Sequence, residues 1–190
     1  MKTHISIPLF LAATLASEGD TNEPTCGGQQ SRRTWNKLNE TTWTCVSYYY
    51  DSAENTCKEL GYLGCGGNDN NFPSLFECLA TCRKPTDDEQ IPSYLQRYLP
   101  NCTKSYISSD AGNLTRFYLE STSKNCTLAM VQNGDGYFPQ IKYCMMKCNG
   151  TQSTISQCSL PKDAGTQPPE WNCRVDGRFT LCTSGSATSS

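Results

Sequence analysis

The stretch "GYLGCGGNDNNFPSLFECLATC", residues 61–82, places three cysteines at fixed spacing among glycines, asparagines and a phenylalanine. Ser74 precedes Glu77 by three residues, which is the capping-box arrangement found at the start of many helices. Cys78 and Cys82 are four residues apart, so both lie on one face of such a helix and reach different partners. The stretch therefore predicts a short helix held by two disulfides.

The segment before this helix has the pattern of a β-hairpin. Residues 46–65, "VSYYYDSAENTCKELGYLGC", contain a tyrosine-rich run, a polar turn at residues 51–55 and a second short extended run. Aromatic residues favour strands, and the polar turn separates two of them. We expect Phe72 to pack under the hairpin and the amides of Asn70 and Asn71 to satisfy backbone groups. Hairpin and helix together predict a small α+β fold.

The cysteine content predicts a protein built on disulfides, because 13 of the 190 residues are cysteines. Met1 and Lys2 precede an apolar run at residues 5–16, which is typical of a secretory signal ending near Ala16. We therefore expect residues 1–16 to be a signal peptide and the mature protein to be secreted into an oxidising, extracellular space. The apolar run is interrupted by Pro8 and is too short to span a bilayer, so no membrane span is expected.

Five Asn-x-Ser/Thr motifs agree with a secreted glycoprotein, although so short a motif also arises by chance. The net charge is only -2, which gives no electrostatic footprint for nucleic acid or for an anionic membrane surface. The candidate glycosylation sites are Asn39, Asn101, Asn113, Asn125 and Asn149.

The only histidine, His4, lies inside the predicted signal peptide. Its loss with the signal excludes histidine-dependent catalytic triads, Cys-His dyads and histidine-ligated zinc in the mature chain. We therefore expect the cysteines to form disulfides, and we expect no enzyme, no catalytic residue, no metal site and no cofactor.

The cysteines fall into three groups, with prolines between them, which predicts two small units and a tail. The first unit covers residues 26–82, and a proline-containing linker at residues 83–101 includes "SYLQRYL", a candidate helical turn. The second unit covers residues 102–148. The tail, residues 149–190, contains "LPKDAGTQPPEW" and is predicted to be rich in loops.

The first unit resembles the Kunitz family of pancreatic-trypsin-inhibitor-like domains. The resemblance rests on Cys57-x7-Cys65-x12-Cys78-x3-Cys82, with Tyr48-Tyr49-Tyr50, Tyr62, Gly64, Asn70-Asn71-Phe72 and Glu77 between or before these cysteines. It implies a hairpin, a C-terminal helix and disulfides that join the first to the sixth, the second to the fourth and the third to the fifth cysteine. Carried over here, the pairs are Cys26–Cys82, Cys45–Cys65 and Cys57–Cys78.

The second unit resembles a degenerate Kunitz domain. "TRFYLESTSKNC" at residues 115–126 is similar to the first hairpin strand and turn, Phe138 precedes Cys144 by six residues, and "CMMKC" repeats the spacing. The resemblance implies the pairs Cys126–Cys144 and Cys102–Cys148 and the loss of the second and fourth family cysteines. An unrelated disulfide-rich module is the alternative.

Three tail cysteines remain after these five pairs: Cys158, Cys173 and Cys182. Their pairing is open, and an odd cysteine would be a thiol or would link two chains in a dimer.

Inhibitory members of the family insert the residue after the second cysteine, the primary specificity residue, into a protease pocket. Counting from Cys45 makes that residue Val46, whereas aligning the strands makes it Thr42. Neither is the lysine or arginine that a trypsin-like pocket prefers. Arg32 and Arg33, in the enlarged segment between Cys26 and Cys45, are the basic candidates.

Two other features of the loop regions are open. Trp35 and Trp43 either close the enlarged loop onto the domain or anchor a partner. In the second unit the strand alignment puts Asp110 at the second-cysteine position and Ala111 at the specificity position. Without its disulfide, and with a candidate glycan at Asn113, this second loop is not expected to inhibit in the standard way.

The leading hypothesis is therefore a secreted, non-enzymatic Kunitz-type serine-protease inhibitor that binds through residues 27–47 or through an exosite. Tandem divergent Kunitz units with many glycosylation motifs resemble salivary proteins of blood-feeding ticks, which implies host clotting or inflammatory proteases as targets and a place in haemostasis. The alternative is a Kunitz scaffold that no longer inhibits and binds a host receptor, channel, or complement or clotting component.

Overall fold

The computed structural model describes residues 23–26, 29–30 and 35–185, so the expected signal peptide lies outside the described residues. Eleven strands and three helices follow one another in this described part of the chain. The strands are β1 (Thr25–Cys26), β2 (Gln29–Gln30), β3 (Asn36–Lys37), β4 (Thr42–Val46), β5 (Tyr48–Asp51), β6 (Thr56–Glu59), β7 (Ala111–Glu120), β8 (Asn125–Val131), β9 (Thr151–Gln152), β10 (Trp171–Asp176) and β11 (Phe179–Ser184). The helices are α1 (Leu75–Cys82), α2 (Ser93–Gln96) and α3 (Ile141–Cys148), with 3-10 turns at Ser108–Asp110 and Ser156–Ser159.

The first unit is the hairpin and helix that the local pattern predicts. Strands β5 and β6 pair antiparallel from Tyr48 opposite Glu59 to Asp51 opposite Thr56. The Oγ of Ser74 accepts the N–H of Glu77 at 3.1 Å and so caps α1, as expected. Tyr48 exchanges two backbone hydrogen bonds with Phe72, at 2.9 and 2.8 Å. These bonds hold the segment before α1 against the hairpin.

Asn70 links the hairpin to the tail. Its wholly buried amide accepts the N–H of Tyr50 at 2.8 Å and donates to the carbonyl of Tyr50 at 2.9 Å. The same amide nitrogen donates to the carbonyl of Leu160 at 2.8 Å. Buried amides that saturate backbone groups in this way specify one arrangement of the chain, because each broken bond would leave a buried polar atom without a partner.

The second unit repeats the order of hairpin and helix. Strands β7 and β8 pair antiparallel, with a bulge between Ala111 and Leu114. Phe117 exchanges two backbone hydrogen bonds with Phe138, at 2.9 and 2.7 Å, just as Tyr48 does with Phe72. Phe117, Phe138 and Ile141 are at most 1% exposed and form the centre of its core. The second unit therefore has its own apolar core beneath α3.

The tail contains a β-hairpin, which the expectation of a loop-rich tail missed. Strands β10 and β11 pair from Trp171 opposite Ser184 to Asp176 opposite Phe179. Strand β11 also pairs with β4, so one sheet has the order β10-β11-β4-β3. Thr180 and Cys182 alternate with more exposed neighbours along β11, which is the period of a half-buried strand. The local signal was a two-residue turn at Gly177 and Arg178 between two runs of strand-forming residues.

The linker carries an ion-pair cluster that joins the two units. Glu89, whose side chain is 20% exposed, forms salt bridges with Arg83 after α1, at 3.2 Å, and with Lys142 in α3. Desolvation of Glu89 opposes ionisation, but the hydrogen bonds and charges of Lys142 and Arg83 outweigh it and lower the pKa of this carboxyl. The ionised form of Glu89 therefore stabilises the contact between the units.

We expect Glu89→Gln to lower the free energy of unfolding by about 1–2 kcal/mol at neutral pH, because two charge-assisted hydrogen bonds are weakened. A carboxyl with a depressed folded pKa stabilises above its unfolded pKa, and the stabilisation disappears as pH falls through the folded value. The native protein should therefore lose stability below about pH 4.5 more steeply than the variant. Urea unfolding between pH 2 and 7 measures this, with exposed Asp87→Asn as the control; equal pH profiles for both variants would contradict the assignment.

Candidate functional site

The disulfides around the expected inhibitory loop differ from the family pattern. Three pairs are those that the resemblance implies: Cys57–Cys78, Cys102–Cys148 and Cys126–Cys144. The implied pairs Cys26–Cys82 and Cys45–Cys65 are replaced by Cys26–Cys65 and Cys82–Cys158, with Cα–Cα distances of 5.4 and 5.5 Å. The sixth disulfide, Cys173–Cys182, lies across the tail hairpin.

Cys45, which is displaced from the family position, is the last but one residue of strand β4. It is 0% exposed and packs with Trp35, Trp43 and Cys182. Its Sγ donates to the carbonyl of Tyr62 at 3.7 Å. The odd cysteine is therefore Cys45 and not one of the three in the tail. A disulfide to a second chain through Cys45 would require this sheet to open.

The tail supplies the cysteine that holds the C-terminal end of α1. Cys158, in the second 3-10 turn, bonds to Cys82 across 76 residues of sequence. Cys82 and Cys158 are both buried and belong to the core of the first unit. Cys158 thus occupies the place that the family resemblance assigns to Cys26, and Cys26 is left to bond to Cys65.

Thr42 and Val46, the two candidate specificity residues, lie in a strand and not in an exposed loop. Thr42 is opposite Thr183, and Val46 is opposite Phe179, both in β11. On its other edge β4 pairs with β3 at Trp43 and Thr44. An inhibitor presents its specificity side chain from an accessible loop or turn, and Thr42 and Val46 both lie within strand β4. The two candidates therefore belong to a paired strand, and their role as specificity residues stays a prediction.

The tail also covers the chain segment next to the Cys26–Cys65 disulfide. Leu63 donates its N–H to the carbonyl of Ala164 at 2.9 Å, and Cys65 and Thr166 exchange backbone bonds at 2.9 and 2.8 Å. Gly64 has φ +116°, and a Cβ there would lie 2.9 Å from Trp35 Cζ2 and 3.1 Å from Pro168 Cγ. The glycine is required by this close approach.

With Cys26 bonded to Cys65, Cys26 takes the position of the family's second cysteine. The residue that follows it is Gly27, which has no side chain to fill a specificity pocket. Gly27 and the basic candidates Arg32 and Arg33 lie outside the described residues.

The two tryptophans of the enlarged segment close it onto the domain. Trp35 is 4% exposed and Trp43 is 5% exposed, and both pack in the cluster that contains Cys45 and Cys182. Side chains so deeply buried are not surface anchors for a partner. The structure therefore supports the alternative in which Trp35 and Trp43 close the enlarged loop onto the domain.

The second unit lacks the second-to-fourth disulfide and holds the same region by polar contacts. Asp110 accepts a hydrogen bond from the hydroxyl of Tyr137 and forms a salt bridge of 2.9 Å with Lys104. The Tyr137 bond and then the Lys104 ion pair lower the pKa of Asp110. Its carbonyl accepts the N–H of Gln132 at 2.8 Å. Ala111 begins β7, so its backbone belongs to a strand.

Four of the five candidate glycosylation residues have exposed side chains, and one does not. Asn125 is partly buried at the start of β8, where its Oδ1 accepts a hydrogen bond from Thr151 Oγ1 at 2.5 Å. The exposed members are Asn39, Asn101, Asn113 and Asn149. Use of these sites by a glycosyltransferase stays a prediction.

Other kinds of site are not found in the part of the chain that the structure describes. Within residues 23–26, 29–30 and 35–185, no cluster of cysteine and carboxylate side chains has the arrangement of a metal site. No described helix has the length and apolar character needed to cross a bilayer.

Sequence reasoning did not identify the tip of the tail hairpin as a candidate site. Arg178 is exposed in the turn, and its guanidinium lies 4.9 Å from the centre of the Phe179 ring. Val175 and Phe179 beside it are 54% and 38% exposed. Arginine is one of the residue types enriched at the energetic centres of protein interfaces. The turn glycine Gly177 and the flanking cysteines Cys173 and Cys182 were the sequence signals that could have indicated this hairpin.

A hairpin followed by a helix, joined through Cys57–Cys78, places the first unit in the Kunitz class of small disulfide-rich α+β domains. A model of the Kunitz/bovine pancreatic trypsin inhibitor domain matches residues 25–83. The anticoagulant protein rhipilin-2 of Rhipicephalus haemaphysaloides is 36% identical over 185 residues, which cover 91% of this chain and 91% of that protein. The chain belongs to the Kunitz/bovine pancreatic trypsin inhibitor family.

Two further relatives carry the names of inhibitors. Kunitz-type serine protease inhibitor C4 of Daboia siamensis is 56% identical over 39 residues, which are 20% of this chain and 43% of that protein. Tissue factor pathway inhibitor 2 of Bos taurus is 30% identical over 123 residues, which are 63% of this chain and 48% of that protein. The family and these names agree with a Kunitz-type inhibitor.

Proposed function

We propose that this protein is a secreted Kunitz-type inhibitor of a trypsin-like serine protease in host blood clotting or inflammation. The observation that carries the proposal is the similarity over nearly the whole length to a tick protein named as an anticoagulant. That similarity includes the second unit and the tail as well as the matched domain. The units that the proposal assigns are the Kunitz domain at residues 26–82, the degenerate Kunitz-like domain at 102–148 and the tail at 149–190.

The physical basis of inhibition is a surface that is rigid before the protease arrives. Association costs side-chain and loop ordering, and a segment already held in its bound conformation avoids most of that cost. Six disulfides hold the two units and the tail of this protein. Such a scaffold supports tight binding without a large interface. A trypsin-like target follows from the basic candidates, because its pocket carries a buried carboxylate.

A second candidate function is a Kunitz scaffold that binds a host protein without inhibiting a protease. The observation that favours it is the conversion of the expected loop into strand β4, covered by the tail hairpin. This alternative requires no specificity residue. Its partner is an extracellular receptor, channel, or complement or clotting component.

The test is a panel of trypsin-like, chymotrypsin-like and elastase-like proteases, including clotting enzymes, titrated with the refolded protein that lacks residues 1–16. We expect saturable inhibition confined to trypsin-like enzymes and a prolonged clotting time in plasma. A prolonged clotting time with no inhibited protease would favour the non-inhibitory binder. Neither effect at micromolar protein, with the six disulfides verified, would rule out the proposed function.

A further inference from the structure

We propose that the tip of the β10–β11 hairpin replaces the usual Kunitz loop, and that Arg178 is the side chain that enters the acidic specificity pocket of the protease. This inference rests on the proposed function and names the residue that would contact the specificity pocket of the protease. It follows from the geometry of the tip, since Thr42 and Val46 are fixed in strand β4.

The hairpin is braced on both sides of Arg178. Asp176 is paired with Phe179, so the turn contains only Gly177 and Arg178. Gly177 has φ +57°, a conformation that glycine adopts at no steric cost. The Cys173–Cys182 disulfide joins directly opposite residues of the two strands. Arg178 is therefore presented from a short turn closed by a covalent cross-link.

The tip is also held against the body of the first unit. Phe179 lies opposite Val46 in β4, which attaches the hairpin to the sheet. Val175 packs over Gly61, where a Cβ would come within 2.9 Å of Val175 Cγ2. These contacts flank the turn on both strands. The position of Arg178 is thus set by packing as well as by the disulfide, which reduces the ordering cost of binding.

The surroundings of Arg178 match what a trypsin-like protease would contact. The pocket of such an enzyme takes an arginine because its buried carboxylate pairs with the guanidinium. Val175 and Phe179 supply exposed apolar surface on either side. Strand β10 is the edge of its sheet among the described strands. The N–H of Cys173 donates to Gln167 Oε1 at 3.3 Å, so an extended segment of the partner would pair with β10 at Val175, nearer the tip. Charge, apolar contact and an open strand edge therefore meet at one tip.

The experiment compares two arginines of the same hairpin. Arg178→Ala removes the basic side chain at the turn, and Arg174→Ala removes an exposed one from the middle of β10. We expect Arg178→Ala to weaken inhibition of a trypsin-like protease by about 30-fold to 1,000-fold, as for a central interface residue, and Arg174→Ala by less than about 5-fold. Arg178→Lys should retain most of the inhibition. Disulfide mapping and circular dichroism check that each variant folds.

The outcomes separate the inference from the function it rests on. If the native protein inhibits but Arg178→Ala does not weaken it more than Arg174→Ala, the inference fails and the proposed function stands. If Arg32→Ala with Arg33→Ala then abolishes inhibition, the loop at residues 27–47 is the contact. If the native protein inhibits no protease in the panel, both fail.

A second readout does not depend on variants. A protease that holds Arg178 in its pocket should slowly hydrolyse the Arg178–Phe179 peptide bond, adding one water to give a carboxylate on Arg178 and an amino group on Phe179. Cys173–Cys182 spans this bond, so the fragments separate only after reduction. Mass spectrometry before and after reduction should show that single cut. A cut elsewhere in the intact inhibitor, with none at this bond, would overturn the assignment.

Discussion

Replacing Cys82 and Cys158 together with serine is expected to lower the free energy of unfolding by about 2–5 kcal/mol, the range for removal of a native disulfide. The disulfide closes a segment of 76 residues that contains the whole second unit. Long closed segments restrict the unfolded chain most, so this bond should be among the most stabilising of the six. Against a total stability of about 5–15 kcal/mol, the loss is large.

A double-mutant cycle distinguishes this pairing from the family pattern. Once Cys82 is replaced by serine, replacing Cys158 should change the free energy of unfolding by less than about 0.5 kcal/mol, because the bond is already gone. Replacing Cys26 in the same background should still be strongly destabilising, because Cys26 bonds to Cys65. Urea unfolding of the single and double variants gives these values. Strong coupling between Cys26 and Cys82, with none between Cys82 and Cys158, would show that Cys82 bonds to Cys26, as in the family pattern.

Trp43→Ala is expected to lower the free energy of unfolding by about 3–5 kcal/mol, the range for removing a large aromatic side chain from a core. Trp43 is 5% exposed and packs with Trp35, Cys45 and Cys182 under the sheet that joins β4 to the tail hairpin. No other described cluster holds the enlarged segment against this sheet, so a cavity there should loosen the attachment of β11 to β4.

Denaturant unfolding measures the total effect, and amide hydrogen exchange along β4 and β11 reports the local one. Tyr98→Ala is the control, because Tyr98 is 71% exposed and its removal should change stability by less than about 0.5 kcal/mol. A loss for Trp43→Ala no larger than that of the control would show that the tryptophan cluster does not hold the tail hairpin.

Local sequence determined the first unit of this protein. The Ser74 cap and the tyrosine-rich strand both depend on residues that are close in sequence. The Cys57–Cys78 disulfide forms where the hairpin and the helix pack against each other. The pair Cys126–Cys144, 18 residues apart, was implied by the family resemblance of the second unit and is present in the structure. A hairpin and a helix that follow each other in sequence can pack together in few ways, so the pairs that join them agree with the family resemblance.

Only the tertiary structure decided how the tail and the enlarged segment are used. The partners of Cys26 and Cys82 depend on which distant segment packs beside them, and the tail brings Cys158 to Cys82 while Cys45 is buried beneath the sheet. The residues of β4 have the same strand propensity whether they form an exposed loop, a hairpin or a central strand. Pairing between β4 and β11, more than 130 residues apart, is set by long-range packing, which sequence spacing does not encode.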